Sequence, residues 1–244
     1  MKPIELIYSN FLQNKKQLAV LIDPDKNDEK TLISIIRKIH ANEADFILTG
    51  GSFISNSIQP LIKDIKKHSD KPVILFPGSL LQLSDQADAI FLLSLISGRN
   101  PEFLIGNHVV AAPFLKKSGM DVIPVGYMII DKKQNTSVSY ISNTTPIPEH
   151  KTDIIVATAI AGEFLGNKLI YLEGGSGVNE PISPKVVETV KENISVPLIV
   201  GGGIKNAEQA EQLYNAGADI LVIGNAVEEN KYLIGEVASV IKSL

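Results

Sequence analysis

The sequence of 244 residues contains no cysteine, which excludes disulfides, thiolate metal ligands and cysteine nucleophiles. It also lacks any apolar run of the roughly 18 residues that a membrane-spanning helix needs. The most apolar stretches, 89–98 and 154–162, are bounded by charged residues. Near the N-terminus, Glu5 interrupts the apolar core that a secretory signal would require. We therefore expect a soluble, cytoplasmic protein without a transmembrane segment.

An excess of positive charge is missing as well, since 23 Lys and Arg residues stand against 27 Asp and Glu residues, a formal net charge of −4. We expect no nucleic-acid partner, although a local basic pocket is compatible with this balance. Hydrophobic residues make up 44% and charged residues 20%, which suits a large core and argues against disorder. Because no linker, repeat or low-complexity stretch interrupts the sequence, we predict one domain over residues 1–244, with two small domains as the alternative that the length allows.

Short aliphatic and β-branched segments alternate with helical patterns along the chain. The segments are almost continuously apolar, which is typical of parallel strands covered on both faces. The predicted strands are 18–22, 45–49, 72–76, 89–94, 122–130, 168–173, 197–202 and 219–224. The predicted helices include 28–40, 152–165, 184–193, 206–216 and 229–243. This order predicts an α/β fold of the (β/α)8 TIM-barrel type, with a doubly wound open sheet as the alternative.

The connection between the third and fourth predicted strands is too short for a full crossover helix. It consists of twelve residues, 77–88, and begins with Pro77 and Gly78. We therefore predict a modified barrel in which the third helix is missing or reduced to a short turn, so that this side of the barrel is thinly covered. A polar loop is predicted over 132–150, as an insertion on the barrel rather than a domain boundary.

The carboxyl ends of the strands, where a parallel barrel carries its active site, are rich in glycine. The second predicted strand ends in TGGS at 49–52, and the sixth runs into YLEGGSG at 171–177. The last two end in GGG at 201–203 and in Gly224-Asn225. Backbone amides can approach a phosphate closely where no Cβ intervenes. These loops therefore predict a phosphate-binding site, with ordinary tight turns as the bland alternative.

Two carboxylates also lie at strand ends. Asp23 follows the first apolar strand and is a candidate ligand for a hard divalent cation such as Mg²⁺; a helix cap or an ion pair with Lys26 is the alternative. Ser52 is positioned to add a hydroxyl oxygen. Glu173 is a candidate general base towards a bound hydroxyl group, or an acceptor of hydrogen bonds from a polyol. Tyr171 either binds the same ligand or packs in the barrel.

Five segments in this order, LIDPDK (21–26), TGGS (49–52), YLEGGSG (171–177), VGGGIK (200–205) and IGN (223–225), resemble a known family. The chain is similar to the geranylgeranylglyceryl phosphate synthases, a family that includes the bacterial heptaprenylglyceryl phosphate synthases. The resemblance spans nearly the whole chain. Its specificity comes from the combination of the YLE-x-GSG and DPDK segments, because the other glycine motifs occur in many phosphate-binding barrels.

The resemblance implies a barrel without its third helix and a transferase that forms an ether bond. Its substrates would be sn-glycerol 1-phosphate, which reacts through its 3-hydroxyl, and a polyprenyl diphosphate such as geranylgeranyl diphosphate, with release of diphosphate. By the same resemblance, Asp23 and Ser52 would hold the cofactor Mg²⁺ and Glu173 would be the base. The implied glycerol-phosphate site consists of Tyr171, Leu172, Glu173, Gly174, Gly175, Ser176, Gly177, Gly202, Gly203, Gly224 and Asn225. A homo-oligomer (dimer or hexamer), phospholipid biosynthesis and peripheral membrane contact for the lipid product are implied too.

The thinly covered side of the barrel is the expected groove for the prenyl chain, with Phe76, Leu93 and Ile96 as candidate lining residues; core packing is the alternative for each. Two other functions stay open. A phosphosugar isomerase, aldolase or synthase would share the glycine loops, but usually needs a lysine or second acid–base group at another strand end, and we expect no lysine inside the mouth from the later strands. A non-catalytic phosphate-binding scaffold gives no reason to combine Asp23 with Glu173.

Overall fold

The computed structural model describes residues 1–26, 28–41, 44–132 and 136–244. Within these residues, the parallel strands are β1 (Gln17–Ile22), β2 (Phe46–Thr49), β3 (Val73–Leu75), β4 (Ala89–Leu95), β5 (Asp121–Asp131), β6 (Ile147–Pro148), β7 (Leu169–Glu173), β8 (Leu198–Gly201) and β9 (Ile220–Ile223). Pairing of β4 with β5 and of β1 with β9 closes all of them except β6 into a barrel. The predicted (β/α)8 architecture is confirmed, and the open-sheet alternative is wrong.

The described helices are α1 (Pro3–Leu12), α2 (Glu29–Ala41), α3 (Ile58–His68), α4 (Asn107–Ser118), α5 (Ser137–Ile141), α6 (Thr152–Phe164), α7 (Pro184–Lys191), α8 (Ala207–Asn215), α9 (Asn225–Glu229) and α10 (Leu233–Ser243). Four of the five predicted helices are found within about two residues of their expected bounds, as is usual for helix ends. The prediction of one helix over 229–243 is wrong at its start, because α9 and α10 are separated at Asn230, whose side chain accepts a hydrogen bond from the Tyr232 amide. None of the described helices combines the length and apolar character needed to cross a bilayer.

Buried side chains form two layers, one inside the barrel and one between the strands and the helices. Successive residues of a strand point to opposite faces, so both layers draw on every strand of the barrel. On β7, Tyr171 points into the barrel, whereas Leu172 packs in the outer layer. This double burial explains why the strands are apolar at nearly every position.

The barrel helix expected between β3 and β4 is absent from the described residues of that connection. The short connection over 77–88 contains one 3₁₀ turn, Leu80–Gln82, in its place, which confirms the prediction. Gln82 is almost fully buried. Its side-chain Nε2 donates to the Gly51 carbonyl over 2.7 Å, and its Oε1 accepts from the amides of Gly51 and Gly78, both over 3.2 Å. The turn therefore fixes the segment that carries Ser52 while leaving the outer side of the barrel open.

The predicted loop over 132–150 contains the short helix α5 and the strand β6, while its residues 133–135 lie outside the described residues. α5 forms locally because Thr136 caps it, with its side chain accepting a hydrogen bond from the Ser139 amide. The Asn100 side chain donates to the Ser142 carbonyl over 3.0 Å. This bond attaches the C-terminal end of α5 to the segment after β4, so that α5 lies beside the barrel mouth.

Candidate active site

The carboxyl ends of the strands open on one polar cavity, which we call the mouth cavity. Its lining includes Asp23, Lys26, Ser52, Tyr127, Tyr171, Glu173, Gly175, Ser176, Gly177, Gly202, Gly203, Lys205, Gly224, Asn225 and Glu228. Every predicted site residue lines this cavity except Leu172 and Gly174. The Leu172 side chain is directed to the outer layer, and the Gly174 amide donates to the Gly201 carbonyl over 2.9 Å. Residues from loops far apart in sequence are thus brought into one site.

Glu173 is a buried carboxyl group in the wall of the mouth cavity. Its Oε1 accepts a hydrogen bond of 2.6 Å from the Gly175 amide. Burial raises the pKa of Glu173 above its usual range, and the hydrogen bonds from Gly175, Tyr171 and Tyr127 oppose that rise by stabilising the carboxylate. A buried carboxylate with a raised pKa, facing a cavity, is suited to accept a proton.

Three aromatic rings form the floor of the mouth cavity. The ring centroids of Phe76 and Tyr171 are 5.4 Å apart, those of Tyr127 and Tyr171 5.2 Å, and those of Phe76 and Tyr127 5.8 Å. Sequence reasoning missed Tyr127, which lies in the middle of an apolar strand and resembles a core residue. The signal that identifies it is the register of the barrel, in which Tyr127 pairs with Tyr171 on the neighbouring strand.

The glycines after β8 keep space open beside Glu173. Gly202 has a φ of +87°, in the left-handed region. A Cβ atom on Gly202 would lie 2.7 Å from the Gly175 amide nitrogen and 2.9 Å from Glu173 Oε1. The two glycine loops after β7 and β8 therefore approach each other so closely that a side chain at Gly202 would enter the site.

Asp23 is half-buried at the exit of β1. Its Oδ1 accepts a hydrogen bond from the Asp25 amide over 3.0 Å, and its Oδ2 is 3.7 Å from Lys26 Nζ. The ion pair considered as an alternative role is thus present, at a long distance. A Cβ atom on Gly51 would lie 3.4 Å from Asp23 Oδ2, so the carboxylate adjoins the segment that carries Ser52.

Asp25 has a different role from Asp23. Its carboxylate accepts hydrogen bonds from the amides of Ser55, over 2.6 Å, and Asn56, over 2.9 Å. These bonds lower the pKa of Asp25, and they tie the loop after β1 to the loop after β2. Asp23 is therefore the carboxylate of this loop that is available to a ligand in the mouth cavity.

The donor atoms beside Asp23 suit a hard cation. Carboxylate and hydroxyl oxygens are supplied by Asp23 and Ser52, and among the described residues no group of three or more histidines and carboxylates could form an all-protein metal site. Mg²⁺ is commonly held by one or two carboxylates, with waters and substrate phosphates completing its coordination. The residues present fit that manner of binding.

The sequence reasoning missed four charged residues that line the mouth cavity: Lys26, Lys205, Glu228 and Glu229. Lys26 Nζ lies 2.7 Å from Asn225 Oδ1 and 3.7 Å from Glu228 Oε2. Burial raises the pKa of Glu228, Asp23 adds to the rise, and Lys26 opposes it. Lys205 also lines the cavity from the loop after β8. The expectation that later strand ends bring no lysine to the mouth is therefore wrong.

An apolar trench runs along the side of the barrel where a 3₁₀ turn rather than an α-helix connects β3 to β4. Its lining includes Phe76, Pro77, Leu80, Leu93, Leu95, Phe103, Val138 and Ile141. The trench meets the mouth cavity at Gly51, Ser52, Phe76, Tyr127 and Val138, which line both. Phe76 and Leu93 are found where they were predicted. Ile96 is not, because it packs in the outer layer, where its Cδ1 would contact a Cβ atom on Gly162.

Known proteins match the chain over nearly its whole length. The PcrB family matches residues 11–242. A geranylgeranylglyceryl phosphate synthase of Chitinophaga pinensis is 48% identical over 240 residues, which cover 96% of this chain and 95% of the relative. One of Pyrococcus horikoshii is 42% identical over 232 residues, which cover 94% and 91%. The solved structure of (S)-3-O-geranylgeranylglyceryl phosphate synthase from Thermoplasma acidophilum, in complex with substrate sn-glycerol-1-phosphate, matches with a TM-score of 0.94 and 32% identity and covers 100% of both chains.

Proposed function

Because the chain belongs to the PcrB family, we propose that it is a prenyltransferase that joins sn-glycerol 1-phosphate to a polyprenyl diphosphate. The names of its relatives favour geranylgeranyl diphosphate as the prenyl donor. The fold match to a synthase in complex with sn-glycerol-1-phosphate supports the acceptor. The observation in this chain that carries the proposal is the meeting of a polar cavity and an apolar trench beside the buried carboxyl group of Glu173.

The reaction forms one carbon–oxygen bond and breaks another. The 3-hydroxyl oxygen of glycerol 1-phosphate bonds to C1 of the prenyl chain. The bond between C1 and the diphosphate oxygen breaks, and the diphosphate leaves with the electron pair. The hydroxyl proton passes to the carboxylate of Glu173. Its raised pKa makes this carboxylate a stronger proton acceptor than an exposed glutamate.

The two substrates are bound by opposite kinds of surface. The main chain of 175–177, 202–203 and 224–225 would bind the phosphate group through its amides, and Ser176 and Asn225 add side-chain donors. The trench would bind the prenyl chain. Burial of each CH₂ group is worth about 0.8 kcal/mol, so a C20 chain gains most of its affinity there. The shared residues Ser52 and Tyr127 mark where the reacting ends would meet.

We propose that Asp23 and Ser52 hold Mg²⁺. When bound, the ion would neutralise charge on the leaving diphosphate. Asp23→Asn should weaken the binding of Mg²⁺ in the presence of a non-reactive prenyl thiolodiphosphate, as measured by calorimetry, and should abolish most turnover. Asp25→Asn is the matched control, because the Asp25 carboxylate is engaged by the amides of Ser55 and Asn56; it should retain the affinity for Mg²⁺. Equal Mg²⁺ affinity of Asp23→Asn and the unsubstituted chain would contradict the metal site.

We also propose that the chain acts in the cytoplasm as a homo-oligomer, a dimer or a hexamer, with a peripheral membrane contact that releases the lipid product. Exposed apolar side chains at and just before the start of α4 support association. Ile105, Val109 and Val110 are 59%, 65% and 67% exposed, and exposed apolar surface of this kind is typical of interfaces. Light scattering after size-exclusion chromatography should give a mass two or six times the chain mass of 26.4 kDa. A monomer at micromolar concentration would contradict the proposal.

The binding of both substrates at once distinguishes this function from its rivals. We expect sn-glycerol 1-phosphate and a geranylgeranyl thiolodiphosphate to bind together in calorimetric titrations, each with one site per chain. A sugar-phosphate isomerase or aldolase would convert a sugar phosphate without any prenyl donor. A binding scaffold would take up glycerol 1-phosphate but form no product with reactive prenyl diphosphates. Either of these results would contradict the proposal.

A further inference from the structure

Lys26 connects the loop after β1 to the loop after β9 across the mouth cavity. Its ammonium group donates a hydrogen bond to Asn225 Oδ1 over 2.7 Å. The carboxylate oxygens of Asp23 and Glu228 lie farther away, each 3.7 Å from the same Nζ atom. An ammonium group has three N–H donors. One of them is used by Asn225, and the two carboxylates are too far for short hydrogen bonds.

Asn225 extends this connection to the glycine loop after β7. Its Nδ2 donates to Ser176 Oγ over 2.9 Å. Because an ammonium group can only donate, the bond from Lys26 fixes the orientation of the Asn225 amide. A chain of two hydrogen bonds therefore runs from Lys26 through Asn225 to Ser176. It connects the exit of β1, where Asp23 lies, to the predicted phosphate-binding loops.

The positive charge of Lys26 favours a role in binding anions. Asp23 and Glu228 place two carboxylates beside its ammonium group, and the ammonium charge offsets the repulsion that these carboxylates would exert on an incoming phosphate. Among the described residues that line the mouth cavity, Lys26 and Lys205 supply the basic side chains. Both proposed substrates bring phosphate charge into this cavity. Lys26 is the basic residue that lies between Asp23, on the diphosphate side, and Asn225, on the glycerol-phosphate side.

We propose that Lys26 is a shared substrate-binding residue, which contacts the phosphate of glycerol 1-phosphate on one side and the diphosphate of the prenyl donor on the other. The flexible four-carbon stem lets Nζ shift by the small distances needed while the hydrogen bond to Asn225 holds its direction. By binding both anions, Lys26 sets the spacing between the two substrates, so that the 3-hydroxyl group faces C1 of the prenyl chain. This inference rests on the proposed function.

Three substitutions at Lys26 separate its charge from its structural role. Lys26→Gln retains a donor for Asn225 Oδ1 but has no charge. Lys26→Arg retains both the charge and the donors, and Lys26→Met retains only the apolar stem. The matched control is Lys231→Met, which removes an ammonium group that bonds to Ser34 Oγ outside the mouth cavity. Thermal unfolding of each variant, followed by circular dichroism, shows which of them are folded.

The contact of Lys26 with the phosphate of sn-glycerol 1-phosphate is measured by calorimetric titration with that substrate, without metal or prenyl donor. The contact of Lys26 with the diphosphate is measured by the KM of the prenyl diphosphate in steady-state assays. We expect Lys26→Gln and Lys26→Met to weaken both by about ten- to a hundredfold, the range for a hydrogen bond to a charged group. Lys26→Arg should recover most of the loss, and Lys231→Met should behave as the unsubstituted chain. Rising salt should weaken glycerol 1-phosphate binding less in Lys26→Gln than in the unsubstituted chain.

A folded Lys26→Gln variant with unchanged affinity for glycerol 1-phosphate and unchanged KM for the prenyl donor would overturn the inference, because the hydrogen bond to Asn225 would then be the whole role of Lys26. Failure of the proposed function is a different result. In that case the unsubstituted chain itself would bind no glycerol 1-phosphate or form no ether product.

Discussion

Gly202 leaves the space that the carboxylate of Glu173 occupies, since a Cβ atom on Gly202 would lie 2.9 Å from Glu173 Oε1. The glycine motif after β8 is therefore explained by a neighbouring acid as well as by the predicted close approach to a phosphate. Two predicted features of the site, the base Glu173 and the phosphate-binding loops, therefore depend on the absence of a side chain at Gly202.

Substitution of Gly202 by alanine should damage both the fold and the site. We expect Gly202→Ala to lower the free energy of unfolding by about 1–2 kcal/mol, the cost of a left-handed φ for an L-residue with a side chain, and to weaken glycerol 1-phosphate binding. Urea denaturation and calorimetry measure the two effects. Gly106→Ala is the control for stability, because Gly106 has helical φ and ψ angles of −54° and −56° and its new Cβ would meet only the flexible end of the Glu102 side chain. Equal destabilisation by the two substitutions would contradict this explanation.

Glu173→Gln removes the proton acceptor but retains most of the shape of the side chain. We expect the rate of product formation to fall by about a hundredfold to ten-thousandfold, the usual contribution of a general base, with little change in phosphate affinity. Since burial disfavours the charged form of Glu173, the neutral amide should not lower the melting temperature near pH 7. Glu208→Gln, on the exposed surface of α8, is the control for activity. An undiminished rate in Glu173→Gln would exclude Glu173 as the base.

The pH dependence of the reaction should follow the titration of Glu173. The rate falls as the pH drops through the pKa of this group, because a protonated carboxyl cannot accept the hydroxyl proton. The hydrogen bond from Tyr127 lowers that pKa, so Tyr127→Phe should raise it and move the acidic limb of kcat/KM to higher pH. Tyr214→Phe is the control, because the Tyr214 hydroxyl donates to the Gln17 carbonyl instead. A limb that stays in place, or moves to lower pH, in Tyr127→Phe would contradict the assignment.

Filling the trench should discriminate between prenyl donors by their length. Leu93 lines the trench, and Leu93→Trp should raise the KM of geranylgeranyl diphosphate by at least about tenfold while affecting the short donor geranyl diphosphate less, since each excluded CH₂ group forfeits about 0.8 kcal/mol. Leu81→Trp is the control, because Leu81 is 96% exposed on the 3₁₀ turn. An equal effect of Leu93→Trp on both donors would indicate that the prenyl chain binds elsewhere.

The features that could be predicted from the sequence were those encoded by local patterns. The strands could be predicted because both of their faces are buried, which makes them apolar at nearly every position. The replacement of a helix by a short turn could be predicted because residues 77–88 are too few for a crossover helix. The site residues of the glycine loops are predictable because glycine is needed where backbones meet closely, as at Gly202. The place of the site could be predicted together with the fold, because a parallel barrel carries its active site at the carboxyl ends of its strands.

The features that escaped prediction depend on contacts between distant segments. Lys26 and Asn225 are 199 residues apart and meet because β1 pairs with β9. Tyr127 has the appearance of a core residue until the register of β5 with β7 sets it beside Tyr171. The break before α10 lies at the extended backbone of Asn230, where the side chain and the carbonyl of Asn230 accept hydrogen bonds from the amides of Tyr232 and Leu233. Single-domain organisation over residues 1–244 stays a prediction.

The most direct test of the central claim is the product itself. The chain should be incubated with labelled sn-glycerol 1-phosphate, Mg²⁺ and prenyl diphosphates of increasing length, and the lipid phase analysed by mass spectrometry. We expect an ether whose mass equals the sum of the two substrates less diphosphoric acid, formed together with an equimolar amount of diphosphate and most rapidly with the C20 donor. Absence of lipid-soluble label with every donor, from a chain that is folded and binds glycerol 1-phosphate, would contradict the account.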